Sequence, residues 1–535
     1  MEERIGVFIC NCGNSLKNID FPWLQERTAS LQGVAYTKIS TALCLKDELE
    51  SMLADIRERQ LSRIVVAGCS PQFKGQIFSH AMEQAELASD MVSWLNLREQ
   101  CSWAHSSNVS EKALSLMRMA VSEVKLLRPA RLAEVVINQR VLIIGGGFSG
   151  LSVAVELSRL GIRSTIVEKE ASLGGQFKDG GTLEAALKGI LYALVAEIAG
   201  DSNIEVVTSA EVTSIEGTAG DFVVGITKGS QTSRQTFGAI VVAVGRQTGI
   251  TPEPTSSKVV ACRDIARLEQ ELEGLPRQVA FLTDASGEHS RMGTLSALAG
   301  AVAIRQRLGS EVYIFSQNLK VDSKGAEKLY REAREKGVTF VKFDEKPEIL
   351  SENGRVKIKV RDVLLKDDVV VYCNLLITGE EAGPSQLPLS TLGIRTDDRG
   401  FYQEVNPHLF PSLSGRKGVL LVGSCRADLD LARASLESTQ AALKVYELLN
   451  QNGSKVKVKV YVDPDKCRAC LTCLRICPHS AIGMERESGK ERAHIYELAC
   501  DACGECVAIC PAKAIEYEGY TDEQIIANLQ AIGEP

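Results

Sequence analysis

The chain has 535 residues, 44% hydrophobic and 24% charged, which is the composition of a globular protein with three or four domains. Its formal net charge of −7 and its aromatic content of 5% exclude the basic, aromatic surface typical of nucleic-acid-binding proteins. No apolar run reaches the roughly 18–20 residues that cross a bilayer, and the opening MEERIGVFIC does not predict a signal peptide. We therefore expect a cytoplasmic protein without membrane insertion.

The sixteen cysteines are the unusual feature of the composition. A chain of this size needs no disulfide scaffold, and in a reducing compartment cysteines at motif spacing bind metal or carry out redox chemistry. Five lie in the first fifth of the chain, three are scattered through the middle and eight lie near the end. This distribution predicts three regions, 1–131, 133–450 and 463–535, with a linker over 451–462.

In the first region, short β-rich runs alternate with helix-like segments, which predicts a parallel sheet. Each cysteine follows one of these runs: Cys10, Cys12, Cys44, Cys69 and Cys101. Ligands gather at the carboxyl edge of such sheets, so four thiolates could converge there on a metal cluster. The alternative is a set of buried structural cysteines, which are common in protein cores.

The second region opens with a glycine motif for phosphate binding. Gly145, Gly147 and Gly150 form G-x-G-x-x-G directly after the apolar strand Val141–Ile144. Such glycines allow a tight turn and a close backbone approach to a pyrophosphate at a helix N-terminus. Glu168 follows Gly150 by 18 residues and could accept the ribose hydroxyls. The motif predicts a bound dinucleotide, with FAD and NAD as the alternatives.

A second β-α-β start begins at Gln278, in a subdomain predicted over about 258–376 and inserted into the first. Its turn, DASGEHSRMG, has no G-x-G-x-x-G. A nicotinamide cofactor would lose the close backbone approach to its phosphates. This difference argues against NAD(P)H binding, and electrons would then arrive and leave through partner proteins.

The third region contains the spacing C-x2-C-x2-C-x3-C-P twice and carries 13 acidic and 7 basic residues. Two-residue gaps let three sulfurs surround one cubane, while the fourth reaches the other cluster. One [4Fe–4S] cluster is therefore assigned to Cys467, Cys470, Cys473 and Cys510. The second is assigned to Cys500, Cys503, Cys506 and Cys477. A pair of zinc ribbons is the alternative, although zinc sites favour two close pairs of ligands. The region resembles bacterial two-cluster ferredoxins over its whole length.

The glycine motif, Glu168 and the later runs GAIVVAVGR and GVLLVGSC together resemble flavoproteins with two dinucleotide-binding domains. The resemblance implies FAD as the cofactor, held in a double Rossmann core like that of thioredoxin reductase. It also implies the remaining flavin contacts, which are Phe148, Ser149, Lys169, Gly174, Gly175, Gln176, Val212, Gly245 and Gly423.

The pieces VFICNCG, RIVVAGCSP and NLREQCSWAH, followed by the flavin motif and a two-cluster tail, resemble the iron–sulfur flavoproteins that form the A subunits of heterodisulfide reductases. The resemblance covers nearly the whole chain. It implies a third [4Fe–4S] cluster in the N-terminal domain, held by Cys10, Cys12, Cys44 and Cys69, with Cys101 in reserve. It also implies a multi-subunit complex with B- and C-like subunits and with ferredoxin or another redox protein. Many members split electron pairs by flavin-based bifurcation.

Two departures from that family bear on bifurcation. Many members insert a ferredoxin module after the glycine doublet, whereas Phe177–Gly200 contains no cysteine and is predicted as helix. Members also tend to carry cysteines near the second β-α-β turn, and this chain has none there. Both differences put bifurcation in doubt.

The expected protein is therefore α/β: an N-terminal parallel-sheet domain, a thioredoxin-reductase-like FAD core and an α+β two-cluster ferredoxin domain. The predicted function is an oxidoreductase component (EC 1.8 class) that relays electrons between FAD, clusters and partner subunits, with no catalytic acid, base or nucleophile. One alternative is a self-contained NAD(P)H-dependent oxidoreductase resembling the small subunit of glutamate synthase. The other is a non-catalytic redox sensor or scaffold.

Overall fold

The structure, a computed structural model, describes residues 4–85, 87–175, 184–248, 258–261, 277–283, 291–379, 382–385, 387, 392–487 and 489–532. The chain divides into two compact units. The first consists of Met1–Glu134, Lys455–Cys477 and Ile482–Pro535. The second consists of Val135–Ser454 and Pro478–Ala481.

The N-terminal part of the first unit is a four-stranded parallel sheet between two layers of helices. Its strands are β1 (Ile5–Cys10), β2 (Val34–Ser40), β3 (Arg63–Gly68) and β4 (Val92–Asn96), in the order β2-β1-β3-β4. The helices are α1 (Phe21–Ala29), α2 (Lys46–Glu58), α3 (Pro71–Gln84) and α4 (Val109–Lys125). Strand β5 (Arg131–Glu134) follows. Because every residue of β1 is buried, the sheet has no solvent-facing side, as parallel sheets require. The predicted parallel sheet is confirmed.

The second unit contains two dinucleotide-binding-like folds. Its strands are β6 (Arg140–Ile144), β7 (Arg163–Glu168), β8 (Ile204–Thr208), β9 (Ala210–Thr218), β10 (Asp221–Lys228), β11 (Gln231–Phe237), β12 (Ala239–Val242), β13 (Arg246–Thr248), β14 (Val259–Ala261), β15 (Gln278–Leu282), β16 (Glu311–Ser316), β17 (Thr339–Lys342), β18 (Glu348–Glu352), β19 (Arg355–Asp362), β20 (Asp367–Cys373), β21 (Leu375–Thr378), β22 (Ala382–Pro384), β23 (Glu404–Asn406), β24 (Phe410–Ser414) and β25 (Val419–Leu421). Its helices are α5 (Phe148–Arg159), α6 (Glu184–Ala199), α7 (Arg291–Leu308), α8 (Ala326–Glu335) and α9 (Leu431–Leu449).

The two folds repeat one arrangement, a parallel sheet with a small antiparallel sheet packed beside it. In the first, strands run in the order β23-β24-β25-β12-β6-β7-β8, with β25 to β8 parallel, and β9 to β11 form the antiparallel sheet. In the second, the parallel order is β14-β21-β15-β16-β17, and β18 to β20 form the antiparallel sheet. This is the double Rossmann core expected from the sequence. The helix expected over Phe177–Gly200 is α6, within the described part of that segment.

The C-terminal part belongs to the same compact unit as the N-terminal sheet. It consists of β26 (Lys455–Val458), β27 (Val460–Val462), α10 (Thr472–Ile476), β28 (Ile482–Glu487), β29 (Lys490–Ile495), α11 (Glu505–Ile509), β30 (Ile515–Tyr517) and α12 (Asp522–Ile532). Strand β26 pairs with β5, and α12 packs against α4, where the buried Gln524 amide donates to the Leu126 carbonyl at 3.4 Å. Within the stretch 451–462, predicted as a linker that leads into a strand, 455–458 and 460–462 are strands.

Within the described ranges, no helix has both the length and the hydropathy needed to cross a membrane.

Candidate functional site

The glycine turn after β6 leaves no room for side chains. Gly145 has φ +110°, and a Cβ there would lie 2.4 Å from the Ala243 carbonyl oxygen. A Cβ on Gly150 would lie 2.0 Å from the Gly145 carbonyl oxygen, so the first turn of α5 packs directly on the loop. Gly147 is the residue before α5 and has extended backbone. This geometry suits a pyrophosphate at the N-terminus of α5.

Glu168 connects the end of β7 to this turn. Its side chain is buried, one carboxylate oxygen accepts the Gly146 N–H at 2.6 Å, and the other accepts the Glu170 N–H at 2.9 Å. Each oxygen retains a second lone pair that could accept a ribose hydroxyl. Gly146 was not singled out from the sequence, although its place within the run of three glycines was a signal.

The other predicted flavin residues fall into two groups. Gly174 (φ +117°) donates its N–H to the Gly146 carbonyl at 2.8 Å, and a Cβ on Gly175 would lie 3.1 Å from the Gly147 Cα. Ser149 lies beside Gly423 (φ +72°), where a Cβ would lie 2.3 Å from the Ser149 hydroxyl oxygen. The residues brought together around the start of α5 are therefore Gly145, Gly147, Ser149, Gly150, Glu168, Gly174, Gly175 and Gly423.

The rest are less closely grouped. Phe148 is partly buried on the first turn of α5, and Lys169 is exposed. The Val212 side chain is buried in the core on β9, so only its backbone could contact a ligand. Gly245 has φ +70° and follows β12, with no atom near the position of a Cβ. Gln176 lies outside the described residues.

Cys425 cannot act as a reactive thiol in this conformation. It is fully buried, its Sγ lies 3.4 Å from the Val242 carbonyl oxygen, and burial raises the pKa of the thiol to about 12. Cys373 is also buried, and burial raises its pKa to about 12. Both cysteines are therefore residues of the protein core. Cys262 lies outside the described residues.

The first residue of α7 in the second dinucleotide-binding-like fold is bonded to a carboxylate of the chain itself. The Arg291 N–H donates to Asp428 Oδ2 at 2.8 Å, and the Arg291 guanidinium donates to the Asp428 carbonyl at 2.9 Å. Arg246 and Lys320 lie 3.4 Å and 3.7 Å from the same carboxylate. In a nucleotide-binding Rossmann fold, a phosphate takes this kind of position at a helix start. The preceding residues, 284–290, lie outside the described residues.

Four N-terminal cysteines line one cavity at the carboxyl edge of the first sheet. The cavity has a volume of about 270 Å³, and its lining includes Cys10, Cys12, Cys44 and Cys69. Cys101 does not line it. That thiol is buried in the core formed with α1 and α4, and its Sγ lies 3.6 Å from the Val109 carbonyl oxygen.

Cys10 and Cys12 are joined by a hydrogen bond. The Cys12 N–H donates to the Cys10 Sγ at 3.3 Å. A hydrogen bond from the Cys12 thiol lowers the pKa of Cys10 to about 6, and the same bond, together with burial, raises the pKa of Cys12. One thiolate is thus favoured before any metal binds. Metal binding would release the remaining protons.

The first set of C-terminal cysteines also surrounds one cavity. Its lining includes three cysteines of the first run and one of the second, together with Pro511: Cys467, Cys470, Cys473 and Cys510. Backbone N–H groups of Ala493 and Ala514 point at Cys467 and Cys510, with N–S distances of 3.5 Å and 3.3 Å. Such N–H donors stabilise thiolates and tune the potential of a cluster.

The second set is grouped as well. Burial raises the pKa of Cys506 to about 12, and the charges of the three cysteines predicted to join it add to the rise: Cys500, Cys477 and Cys503. The Ala502 N–H donates to Cys500 at 3.4 Å. Positive φ at Ala469 and Ala502, two residues after the first cysteine of each run, gives both loops the same turn.

The cysteine sets can be compared with the ligand sets of single metal ions and of [4Fe–4S] clusters. Among the described residues, no group of three or more His, Cys, Asp or Glu side chains could hold one metal ion. A [4Fe–4S] cluster makes a different demand, because its four cysteines bind four different irons at the corners of a cubane. Four sulfurs around one cavity meet that demand. The assignment of individual ligands stays a prediction.

Arg98 and Lys74 are lining residues of the N-terminal cavity that were not predicted from the sequence. Arg98 lies in a single π-helical turn, Arg98–Ser102, that follows β4. The only sequence signal was its position just beyond a strand, at the edge where the cysteines gather.

Comparison with known proteins gives two domain matches. Residues 139–444 match the family model described as pyridine nucleotide-disulphide oxidoreductase, and residues 459–511 match the model described as 4Fe-4S dicluster domain. The matches support FAD and [4Fe–4S] clusters as the cofactors of an oxidoreductase. Among solved structures, T. acidophilum thioredoxin reductase is 15% identical, covers 58% of this chain and 99% of its own, and has a TM-score of 0.43.

Curated relatives align along nearly the whole chain. The iron-sulfur A subunit of CoB--CoM heterodisulfide reductase from Methanocaldococcus jannaschii is 27% identical over 653 aligned positions, covering 99% of each chain. The A subunit of H(2):CoB-CoM heterodisulfide,ferredoxin reductase from Methanothermobacter thermautotrophicus is 26% identical, covering 99% of this chain and 97% of its own. The first alignment exceeds the 535 residues of this chain, so that relative carries stretches that this chain lacks. The chain therefore belongs to the pyridine nucleotide-disulphide oxidoreductase family, and its curated homologues are heterodisulfide reductase A subunits.

Proposed function

We propose that this chain is the flavin and iron–sulfur electron-transfer component of a heterodisulfide reductase-like complex. One observation carries the proposal: a glycine turn anchored by Glu168 and three sets of four cysteines occur in a single chain. The full-length similarity to A subunits supports the same conclusion.

Bound FAD would supply the exchange between paired and single electrons, and [4Fe–4S] clusters would carry electrons one at a time. The residues of the chain bind and orient these groups. The Gly145–Gly150 turn admits the pyrophosphate, and Glu168 holds the turn while accepting ribose hydroxyls. Backbone N–H groups at the sulfurs of the tail would stabilise thiolate charge. No side chain needs to transfer a proton or attack a substrate.

We propose three clusters per chain. The ligands of the tail clusters are Cys467, Cys470, Cys473 and Cys510 for one, and Cys500, Cys503, Cys506 and Cys477 for the other. The third would be held by Cys10, Cys12, Cys44 and Cys69, which already line one cavity. Cys101 is not included, because its thiol is buried in a separate apolar core.

Electrons would enter and leave through partner proteins, namely B- and C-like subunits and ferredoxin or another redox protein. The Asp428 contact supports this route over direct reduction by NAD(P)H, because a carboxylate of the protein bonds to the first residue of α7. The acidic C-terminal part would favour partners with basic surfaces. Splitting of the electron pair between two acceptors belongs to the same proposal.

Cofactor analysis of anaerobically purified full-length protein tests the proposal. We expect about one FAD and about twelve iron atoms per chain, four for each cluster. Cys44→Ser should reduce the iron content to about eight, whereas the matched control Cys101→Ser should keep about twelve. Absence of flavin, or twelve irons retained in Cys44→Ser, would contradict the assignment.

Anaerobic mixing with possible donors tests the electron source. Rapid bleaching of the flavin by NADH or NADPH alone would favour the NAD(P)H-dependent alternative. Bleaching by a reduced low-potential ferredoxin, without any by NAD(P)H, would support the relay. Reduction of two different acceptors by one donor, with neither reduced alone, would support splitting of the pair.

A further inference from the structure

Arg98 places a positive charge at the N-terminal cysteine cavity. It lines the cavity together with the four cysteines and Lys74, and no carboxylate is among the described residues that line it. Only 19% of the Arg98 side chain is exposed, so solvent screens its charge incompletely.

The guanidinium is held in place from several directions. Glu99 Oε1 accepts from Arg98 Nη2 at 2.6 Å and from Nε at 2.9 Å. The rings of Phe73 and Trp103 lie with their centroids 5.4 Å and 5.0 Å from the guanidinium carbon. An arginine confined by two hydrogen bonds to one carboxylate oxygen and by two aromatic rings loses little freedom when it interacts with a further charge.

Glu99 is itself tied to the cysteine loop. Its Oε2 accepts the N–H of Ser70, the residue after Cys69, at 3.0 Å, and its own N–H donates to Asn96 Oδ1 at 2.9 Å. Glu99 is therefore bonded to two residues that line the cavity, Arg98 and Ser70, although it does not line the cavity itself. The two charges of the pair have opposite signs. Their net effect on the cysteine sulfurs therefore depends on which charge lies at the cavity.

The cavity is lined by the cation of this pair and not by its carboxylate. Arg98 and Lys74 are among the described residues that line the cavity, whereas Glu99 is not. The positive charge of the pair therefore lies at the cavity with the four cysteines.

We propose that Arg98 raises the reduction potential of the cluster held by Cys10, Cys12, Cys44 and Cys69. Reduction of a [4Fe–4S] cluster adds one electron and therefore one unit of negative charge to the cluster and its four thiolates. Arg98 attracts the reduced form more strongly than the oxidised form, and net charge is one of the determinants of cluster potential. Arg98 is a positioning residue in this proposal. The inference depends on the N-terminal cluster of the proposed function.

Redox titration of the anaerobically purified full-length protein, followed by EPR, tests this inference. Sodium dithionite is the reductant that supplies the single electron to each cluster, and redox mediators keep the protein in equilibrium with the solution. The EPR signal of the N-terminal cluster is the one that is missing in Cys44→Ser. The midpoint potential of this cluster is therefore obtained from the difference between the wild-type and Cys44→Ser titrations. Iron content is measured for every variant.

Arg98→Gln should shift this midpoint to a more negative potential, and Arg98→Lys should restore much of the wild-type value because it keeps the charge. Glu99→Gln should shift the midpoint in the opposite direction. Two shifts of opposite sign distinguish an electrostatic role from a structural one, which would move both variants alike. The midpoints of the tail clusters serve as internal controls and should not move.

An unchanged midpoint in Arg98→Gln with full iron content would overturn the inference. If Arg98→Gln lost iron, Glu99→Gln would decide, and an unchanged or more negative midpoint there would also overturn it. A wild-type protein with about eight irons and no signal dependent on Cys44 would instead overturn the third cluster of the proposed function.

Discussion

Gly150→Ala most directly tests the proposal that the Gly145–Gly150 turn admits the pyrophosphate of FAD. The new Cβ would lie 2.0 Å from the Gly145 carbonyl oxygen, where ordinary contact begins at 3.4 Å, so the loop or the helix must move by about 1.4 Å. Overpacking of this kind costs about 1–3 kcal/mol, partly offset by about 1 kcal/mol from the better helix propensity of alanine. The apoprotein should therefore lose roughly 0–2 kcal/mol.

FAD binding should suffer more, because the displaced loop is the one that approaches the pyrophosphate. A cost of 1–3 kcal/mol confined to the bound conformation corresponds to roughly 5- to 150-fold weaker binding. At a free FAD concentration of about 100 times Kd, binding stabilises a protein by about 2.7 kcal/mol, and at the same FAD concentration this increment should fall to roughly 0.3–1.8 kcal/mol in the variant.

The assay compares FAD content and the rise of Tm on addition of FAD in Gly150→Ala, wild type and a matched control. Gly189→Ala is that control, because Gly189 also lies in a helix of the second unit and a Cβ there meets no atom within 4 Å. Gly189→Ala should keep FAD and gain up to about 1 kcal/mol. If Gly150→Ala contained stoichiometric FAD and showed the same rise of Tm with FAD as the wild type, the proposed role of the Gly145–Gly150 turn would be refuted.

Three further predictions concern other parts of the chain. Burial raises the pKa of Glu123, an effect opposed by the hydrogen bond that the Ser93 hydroxyl donates to it at 3.1 Å; the folded state therefore favours the protonated form, so the Tm of Glu123→Gln should rise relative to that of the wild type as pH increases from about 4 towards 7, and a constant difference in Tm would contradict this. Asp428→Asn should lower stability by roughly 1–3 kcal/mol in thermal unfolding, since it removes the charge that faces Arg291; an unchanged Tm would mean that the contact contributes nothing. Gln524→Ala should increase hydrogen exchange in α4 and α12 by removing the buried bond to Leu126, at a cost of about 1–2 kcal/mol; unchanged exchange would show that this amide does not hold the helices together.

Much of the architecture could be read from local patterns. The glycine turn of Gly145–Gly150 and the cysteine runs of the tail are short-range signals, because the turn or loop that they form is built from neighbouring residues. The same holds for the buried strands of the first sheet, whose apolar runs require cover on both faces. The fold class and the cofactor types were accordingly predictable before any coordinates.

The remaining features depend on contacts between residues far apart in the chain, which local spacing does not encode. Cys101 follows a strand just as Cys10 and Cys69 do, yet its thiol packs into the core formed with α1 and α4, away from the cavity. Strand order brought Arg98 to the four cysteines, and packing brought Asp428 to the first residue of α7. Pairing of β26 with β5 and packing of α12 on α4 joined the two ends of the chain in one unit. Each of these outcomes is decided by which surfaces bury one another, and burial is a property of the assembled fold.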